Sequence, residues 1–218
     1  MDREGDIMSE NYFKLAKKYI NRKPMPSSLK QEFENHALGY LLEGVYHRTA
    51  ELLKENKNAS PAQMQHLEQI LPCIAFYETL FAKEGSREKA LEIYEQWCFI
   101  KIEKMAKWIP RIMMIPGLYK KIPGIMRRML DKLFGHAAGF DYVEVDCENG
   151  FAVNITVCPY VETCKNYGCP ELVQFFCKSD DICYGNMHKK LVWGRTKTLG
   201  TGGDCCDFCL KIKDKKHG

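Results

Sequence analysis

The segment DYVEVDCENGFAVNITV, residues 141–157, decides the fold class of this chain. Apolar and polar residues alternate on both sides of Asn149-Gly150, a dipeptide that favours a two-residue type I′ turn between antiparallel strands. The alternating positions that share a face are Val143, Val145 and Cys147, then Phe151, Val153, Ile155 and Val157. The segment therefore predicts a β-hairpin in which these positions share a face along each strand.

The chain after this hairpin predicts helices and then a second hairpin. Residues 160–188 lack strict alternation, which favours one or two helices. Alternation returns on both sides of a glycine-rich turn at residues 200–203, in Leu191, Trp193 and Arg195 and then in Cys206, Phe208 and Leu210. The order β-β-α-α-β-β predicts a small antiparallel sheet with helices packed on one side.

The N-terminal half predicts helices, because its apolar residues recur every three or four positions. Capping boxes at Ser28 with Gln31 and at Ser60 with Gln63 indicate two helix starts. The helices are expected at residues 9–22, 28–56, 61–84 and 86–108. Together with the sheet they predict an α+β fold, in which a helical N-terminal half precedes the small antiparallel sheet.

A basic segment interrupted by Pro-Gly pairs lies between the two halves. Ile115-Pro116-Gly117 is echoed by Ile122-Pro123-Gly124, and each pair predicts a helix break before a short helix that ends near Phe134. Basic residues mixed with Met, Ile and Leu also suit a lid or a contact with an anionic membrane surface. We favour a connector that packs its apolar side on the core. The domains expected are a helical region at 1–108, this connector and helix at 109–139, a cysteine-rich α+β region at 140–211 and a solvated basic tail at 212–218.

The composition excludes several classes of protein. The chain has 218 residues, 45% of them apolar and 28% charged, so it is neither collagen-like nor wholly disordered. No stretch reaches the ~20 apolar residues that span a bilayer, and residues 1–6 lack a secretory pattern, so we expect a cytoplasmic protein without stable membrane insertion. A net charge of +4 without a broad basic face does not indicate a nucleic-acid partner. The oligomeric state is left open.

Eleven cysteines, an odd number, are the sharpest feature of the composition. Nine lie between Cys147 and Cys209, yet only Cys206 and Cys209 have the two-residue gap typical of structural zinc sites, and no gap pattern matches an iron–sulfur cluster. In a reducing compartment we expect free thiols, with no metal and no cofactor. A cysteine-rich metal or redox sensor is the alternative hypothesis.

Cys177 and Asp180 form the first candidate catalytic pair. On a helix, a spacing of three places the thiol and the carboxylate on one side, where the carboxylate can take a proton from the thiol or from water. A cation is needed to make the thiol a good nucleophile, and Arg195 is the candidate. Arg195 beside apolar Trp193 would also suit a substrate carboxylate, held by two parallel hydrogen bonds. An arginine that simply faces water is the alternative.

Cys206 and Asp207 are further candidates at the start of the last strand. Alternation places Cys206 on the face with Phe208 and Asp207 on the opposite face. Both can reach one site only if the strand is bulged or ends there. The preceding turn, residues 198–204, is glycine-rich but opens no helix and lacks a Gly-Lys-Ser/Thr ending, so it does not predict a phosphate loop.

Three motifs together resemble the signature of the L-2-amino-thiazoline-4-carboxylic acid hydrolase family. They are Cys177-x2-Asp180, Arg195-x2-Thr198-Leu199 and Gly202-Gly203-x-Cys205-Cys206-Asp207-Phe208. The resemblance covers about residues 140–211, behind a helical N-terminal half as in that family. The positions that it carries over are Cys177, Asp180, Arg195, Thr198, Cys206, Asp207 and Phe208. The additional cysteines are not part of the pattern.

The resemblance implies a hydrolase that acts on carbon–nitrogen bonds of a cyclic amidine. It would open a small carboxylated thiazoline ring to an N-carbamoyl amino acid with a free thiol. The nucleophile implied is Cys177, Cys206 or a water activated by Asp180, and the proton donor is Asp180 or Asp207. No step requires a cofactor.

The resemblance also implies where the substrate binds. Arg195 would hold the substrate carboxylate, with Thr198 and Trp193 beside it. The rival interpretation is a non-enzymatic small-molecule-binding module. The chain's last hairpin is also similar to the vinyl-reductase-type domains of bacteria, which share the looser pattern Gly-x-x-Cys-x-Phe.

Overall fold

The computed structural model describes residues 3–213, with side chains from Glu10 onward. The chain divides into two compact units, residues 1–101 and 102–218. The α+β prediction is confirmed, because the first unit is helical and the second carries a four-stranded antiparallel sheet with helices. The finer domain boundaries at 108, 139 and 211 stay predictions. The basic tail lies outside the described residues from residue 214 onward.

The first unit is built of helices around an aromatic core. They are α1 Arg3–Arg22, α2 Pro24–Asn35, α3 Leu42–Glu55, α4 Pro61–Glu84 and α5 Arg87–Cys98. Phe33 and Phe76 are fully buried, with ring centroids 5.0 Å apart in an edge-to-face arrangement. The predicted capping box at Ser60 is confirmed: its Oγ accepts a hydrogen bond from the Gln63 N–H, and the Gln63 side chain accepts one from the Ser60 N–H.

The single helix predicted over residues 28–56 is wrong. Ala37, at φ 57°, lies in the left-handed region, and a 3-10 turn at Gly39–Leu41 follows before α3 begins. Phe33 and Val45 are nevertheless both fully buried. Helical periodicity reports which positions face the core, so it continues across a change of direction that it does not reveal.

Other helix boundaries predicted for this half also need correction. The helix expected at residues 86–108 is divided into α5 and α6, Ile100–Ala106, and α1 begins at Arg3 rather than residue 9. The capping box at Ser28 is wrong, because Ser28 lies inside α2. Its hydroxyl donates to the Pro24 carbonyl at 2.9 Å and accepts the Lys101 N–H at 3.0 Å.

The second unit packs helices on one antiparallel sheet. After α6 its elements are α7 Ile109–Met113, α8 Leu118–Phe134, β1 Asp141–Glu144, β2 Gly150–Val157, α9 Pro159–Asn166, α10 Val173–Tyr184, β3 Leu191–Gly194 and β4 Cys206–Ile212. The strand order is β1-β2-β4-β3, and every neighbouring pair is antiparallel. Both predicted hairpins are therefore present, with β2 and β4 at the centre of the sheet.

The loop between β1 and β2 differs from the predicted type I′ turn. Asn149 has φ 56°, but Gly150 does not lie in the left-handed region that this turn requires, and β1 already ends at Glu144. The Gly150 N–H bonds the Cys147 carbonyl at 3.2 Å. A Cβ on Gly150 would lie 2.5 Å from Cys147 Sγ, so the glycine makes room for this thiol.

Helix α8 runs through one of the two Pro-Gly pairs that were predicted to break it. Gly117, at φ 77°, does separate α7 from α8, whereas Pro123-Gly124 lies inside α8. A proline within a helix costs about 3 kcal/mol or more. Burial of the apolar face of α8, which includes Pro123 and Leu130, offsets this cost.

The sheet has two chemically different faces. Phe151, Val153 and Ile155 of β2 alternate with residues of the other face, and they share their side with Phe208 of β4 and with α8. The other face carries Asp207, Cys209 and Lys211 of β4. No helix within residues 3–213 is long and apolar enough to cross a membrane.

Candidate active site

A cavity of 270 Å³ lies within the second unit, beneath α8. Its floor is the inner face of the sheet, the one that carries Phe151, Val153 and Ile155 of β2 and Phe208 of β4. Helix α10 closes one side. The lining residues are Ile125, Met126, Met129, Leu130, Leu133, Phe134, Phe151, Val153, Ile155, Asp180, Tyr184 and Phe208. The volume is close to the lower end of the range of roughly 300–1,000 Å³ that is usual for small-molecule sites.

Asp180 is the one carboxyl among the described residues that line this cavity. It extends from α10, and its side chain keeps 36% of its accessible surface. Burial raises the pKa of Asp180 to about 7; the charge of Asp181 adds to this shift, and Arg195 opposes it. A carboxyl with this pKa can both take up and release a proton at neutral pH.

Arg195 lies behind Asp180 and is held on several sides. Its side chain is only 3% exposed. The guanidinium donates hydrogen bonds to Asp180 Oδ2 at 3.3 Å, to Asp181 Oδ2 at 2.5 Å and to the Cys177 carbonyl at 2.6 Å. It also packs on the ring of Phe208, which lines the cavity. The guanidinium is thus occupied by protein acceptors rather than presented to the cavity.

Trp193 completes this arrangement from β3. Its Nε1 donates to Asp181 Oδ1 at 2.8 Å, so Asp181 is held through both carboxylate oxygens. The indole ring packs against Tyr184 at 4.9 Å and Phe208 at 5.2 Å between centroids. Trp193 therefore contacts the Asp181 carboxylate and the rings of Tyr184 and Phe208, which line the cavity, but it does not line the cavity itself.

Cys177 lies one helical turn before Asp180 and faces the 198–203 loop. Burial raises the pKa of the Cys177 thiol, and a hydrogen bond with Thr198 together with the charge of Arg195 opposes this rise. Thr198 is 7% exposed, and its Oγ1 also accepts the Thr201 N–H at 3.2 Å. Both side chains are engaged with the protein, and neither lines the cavity.

Cys206 is the first residue of β4 and lies close to this loop. It is 5% exposed, and its Sγ accepts the Leu199 N–H at 3.2 Å. Burial raises the pKa of Cys206 to about 11, and the neighbouring thiol of Cys177 adds to the rise. At neutral pH this sulfur is therefore a protonated thiol and a weak nucleophile.

Asp207 does not reach the cavity. β4 pairs continuously with β2, with Cys206 opposite Ile155 and Asp207 opposite Asn154, so no bulge brings both faces together. Asp207 Oδ1 accepts the N–H groups of Thr196 and Lys197, each at 2.9 Å. Partial burial acts to raise the pKa of Asp207, but the hydrogen bonds from Thr196 and Lys197 outweigh it and hold the pKa below its ordinary value.

The sequence prediction missed Asp181 and Tyr184, and it expected the apolar side of the basic connector on the core but not in the wall of a cavity. Asp181 directly follows Asp180, and the acidic doublet was a signal that could have been used. Tyr184 lies one turn after Asp180 on α10, and burial raises its pKa. The contribution of α8 was hidden because Pro123-Gly124 indicated a break where the helix continues.

The described residues offer no group of three or more His, Cys, Asp or Glu side chains that could hold a metal ion. Cys147 and Cys209 approach each other to 3.9 Å between sulfurs on the outer face of the sheet. All eleven cysteines are free thiols.

A carboxyl of raised pKa beside an apolar cavity in an α+β unit is the kind of small-molecule site that enzymes and ligand-binding proteins share. The chain belongs to the L-2-amino-thiazoline-4-carboxylic acid hydrolase family, whose model matches residues 63–210. This match confirms the family resemblance that the sequence motifs carried, and it includes every site residue described above. No curated protein and no solved structure matches the chain.

Proposed function

We propose that this protein hydrolyses a small 2-aminothiazoline ring, for which L-2-amino-thiazoline-4-carboxylate is the first compound to test. The observation that carries the proposal is Asp180, a carboxyl with a pKa of about 7 at the wall of a small-molecule cavity. The family match supports hydrolysis as the reaction class.

The atom balance fixes which bond breaks. Water adds to C2 of the protonated amidine, and the resulting tetrahedral carbon expels the ring sulfur. The C2–S bond breaks, the sulfur leaves as a thiol, and C2 becomes the carbonyl of an N-carbamoyl group. The expected product with a free thiol thus requires carbon–sulfur cleavage at the amidine carbon, and the carbon–nitrogen bonds of that carbon are kept. The expectation of a hydrolase that breaks carbon–nitrogen bonds is corrected on this point, and the ring-opened product stays the same.

Asp180 is suited to both proton transfers in this sequence. As a carboxylate it takes a proton from the attacking water, and as a carboxylic acid it returns that proton to the departing sulfur. A pKa of about 7 makes both forms available at neutral pH. Asp207 is left out of the proposal because it lies on the opposite face of the sheet.

We propose water, rather than a cysteine, as the nucleophile. Burial raises the pKa of both the Cys177 and the Cys206 thiols, so neither is a thiolate at neutral pH. Cys177 and Thr198 then serve to pack the 198–203 loop on α10. Arg195 and Trp193 are positioning residues that hold Asp180 and Asp181 in place.

The test is thiol release from the thiazoline, followed with a thiol-reactive dye after subtraction of the protein's own cysteines. Asp180→Asn should lower kcat/KM by about 10²–10⁴-fold, the usual loss for a proton-transfer residue. Cys177→Ser should keep most of the turnover. Asp146→Asn is the matched control, because Asp146 is an exposed carboxyl on the outer-face loop. Near-full turnover by Asp180→Asn would contradict the acid–base assignment.

The apolar cavity also favours a second candidate, a module that binds small molecules without converting them. The same assay separates the two functions. Binding of thiazolines to the wild-type protein, measured by calorimetry, with no thiol release across the panel would favour the binding module.

A further inference from the structure

The cavity wall holds few polar groups. Apart from the Asp180 carboxyl and the Tyr184 hydroxyl, every lining side chain is aliphatic, aromatic or a thioether. Among the residues that the structure describes, no lysine, arginine or histidine lines the cavity. An ionised substrate carboxylate placed there would lose its hydration without gaining a cationic partner, which is unfavourable.

Arg195, the cation expected to bind a substrate carboxylate, is not available for that role. Its side chain is 3% exposed, and three of its five N–H donors already serve Asp180, Asp181 and the Cys177 carbonyl. A substrate carboxylate in the cavity would have to reach a guanidinium that is nearly buried and already paired with two carboxylates of the protein, so it would gain little from this arginine.

The charge at the polar end of the cavity favours a cation instead. Asp180 and Asp181 share one guanidinium, so this group of three side chains carries one net negative charge when both carboxylates are ionised. Asp180 is the member of this group that lines the cavity. A protonated cyclic amidine is planar, cationic and rich in N–H donors, so it can donate a charge-assisted hydrogen bond to one Asp180 oxygen while the carboxylate still serves as the base for water.

From this arrangement we infer that the preferred substrate is a cationic cyclic amidine that carries an apolar substituent in place of a free carboxylate. The amidinium pairs with Asp180, and the substituent packs between the α8 methionines and the β2 side chains, among them Met126 and Val153. This inference rests on the proposed function, since it takes the ring-opening reaction as given. It specifies which thiazolines the cavity selects.

A substrate ladder tests the inference by thiol release. The compounds are 2-amino-2-thiazoline-4-carboxylate, its methyl ester, and 2-amino-2-thiazolines with methyl, propyl and butyl groups at C4. Each buried CH₂ group should raise kcat/KM by about fourfold until the cavity is filled. The acid should fall at least about tenfold below its methyl ester. A free acid that matches or exceeds the ester and the butyl compound would overturn the inference and leave the proposed function intact.

A positive charge introduced at the cavity wall tests whether the missing cation disfavours the acid. Met129 lines the cavity and is 42% exposed, so a lysine there can put its ammonium group at the mouth without burying it. Met129→Lys should shift the acid-to-ester ratio of kcat/KM toward the acid by about tenfold, whereas Met129→Gln should leave the ratio near the wild-type value. An unchanged ratio in Met129→Lys would show that the substituent binds elsewhere.

Compounds that bind but cannot be opened separate a failure of the proposed reaction from a failure of the inferred substituent preference. In 2-aminoimidazolines a ring nitrogen replaces the sulfur, so no thiol can leave, and calorimetry reports affinity alone. If no thiazoline is opened, the proposed function fails, and these compounds still decide whether the cavity prefers an apolar substituent to a carboxylate. Tighter binding of 4-butyl-2-aminoimidazoline than of the 4-carboxylate supports the inference, and the reverse order overturns it.

Discussion

Asp180 and Asp207 are the same kind of side chain in one small unit, and their surroundings give them opposite chemistry. Asp180 faces an apolar cavity, which raises its pKa to about 7. Asp207 receives two backbone N–H groups on the other face of the sheet, and its pKa is lowered. Sequence motifs name both carboxyls equally, but only the three-dimensional environment shows which one exchanges protons at neutral pH.

A pH profile follows from the position of Asp180. Turnover begins with the carboxylate form and a protonated amidine, so kcat/KM should rise as the pH is raised through about 7 and then level off until the amidine itself loses its proton. The titratable and charged groups that interact with this carboxyl are Arg195, Asp181, Tyr184, Cys177, Cys183 and Cys206. The profile is measured on the wild-type protein between about pH 5 and 9. An ascending limb centred near pH 4, the ordinary carboxyl range, would contradict the role given to Asp180.

Arg195→Lys tests whether the guanidinium holds the site together. Lysine keeps the charge but loses the planar set of donors that reaches Asp180, Asp181 and the Cys177 carbonyl at once. The free energy of unfolding should fall by about 1–3 kcal/mol in urea titrations. Arg127→Lys is the matched control, since Arg127 is half exposed and its ion pair with Glu144 spans 3.6 Å. A loss in Arg195→Lys no larger than in this control would remove the positioning role.

At the scale of elements, the sequence patterns predicted those features that depend on neighbouring residues alone, such as the two hairpins. Both hairpins were found from alternation, because a half-exposed strand has a period of two residues. The break at Ala37 and the continuity of α8 through Pro123 were not found. The continuity of α8 depends on burial of Pro123 and Leu130, which offsets an unfavourable backbone geometry and which no short window of sequence contains.

The 198–203 loop gives a prediction at this scale, because Gly200 packs against α10. A Cβ at Gly200 would lie 2.6 Å from Val173 Cγ1 and 3.2 Å from Cys177 Sγ. Gly200→Ala should therefore lower the free energy of unfolding by about 1–3 kcal/mol through overpacking. Gly124→Ala is the contrasting variant: no atom lies within 4 Å of its Cβ, and it should stabilise α8 by about 0.5–1 kcal/mol. Equal effects in thermal or urea unfolding would contradict the packing argument.

At the scale of the whole molecule, the sequence predicted which residues matter better than how they act. The motifs brought forward Cys177, Asp180 and Arg195, and the structure places all three around one ion pair. The expected role of Arg195 as a substrate clamp could not be tested in sequence, because its partner Asp181 and its exposure of 3% are properties of the folded unit. Spacing along the chain places residues on a face, but it does not tell which acceptors occupy a donor.

Ligand binding should change the stability of the second unit and leave the first unit as it is. Every residue of the cavity belongs to the second unit, between Ile125 and Phe208. A ligand that binds only the folded state stabilises it, by about 2.7 kcal/mol at a hundred times its Kd. With 4-butyl-2-aminoimidazoline bound, slow hydrogen exchange should therefore extend over α8, α10, β2 and β4. Exchange in α1 to α5 should stay as in the free protein, because no lining residue lies on these helices. Added protection concentrated in α1 to α5, with α8 and α10 unchanged, would place the ligand away from Asp180 and would contradict the site described for this protein.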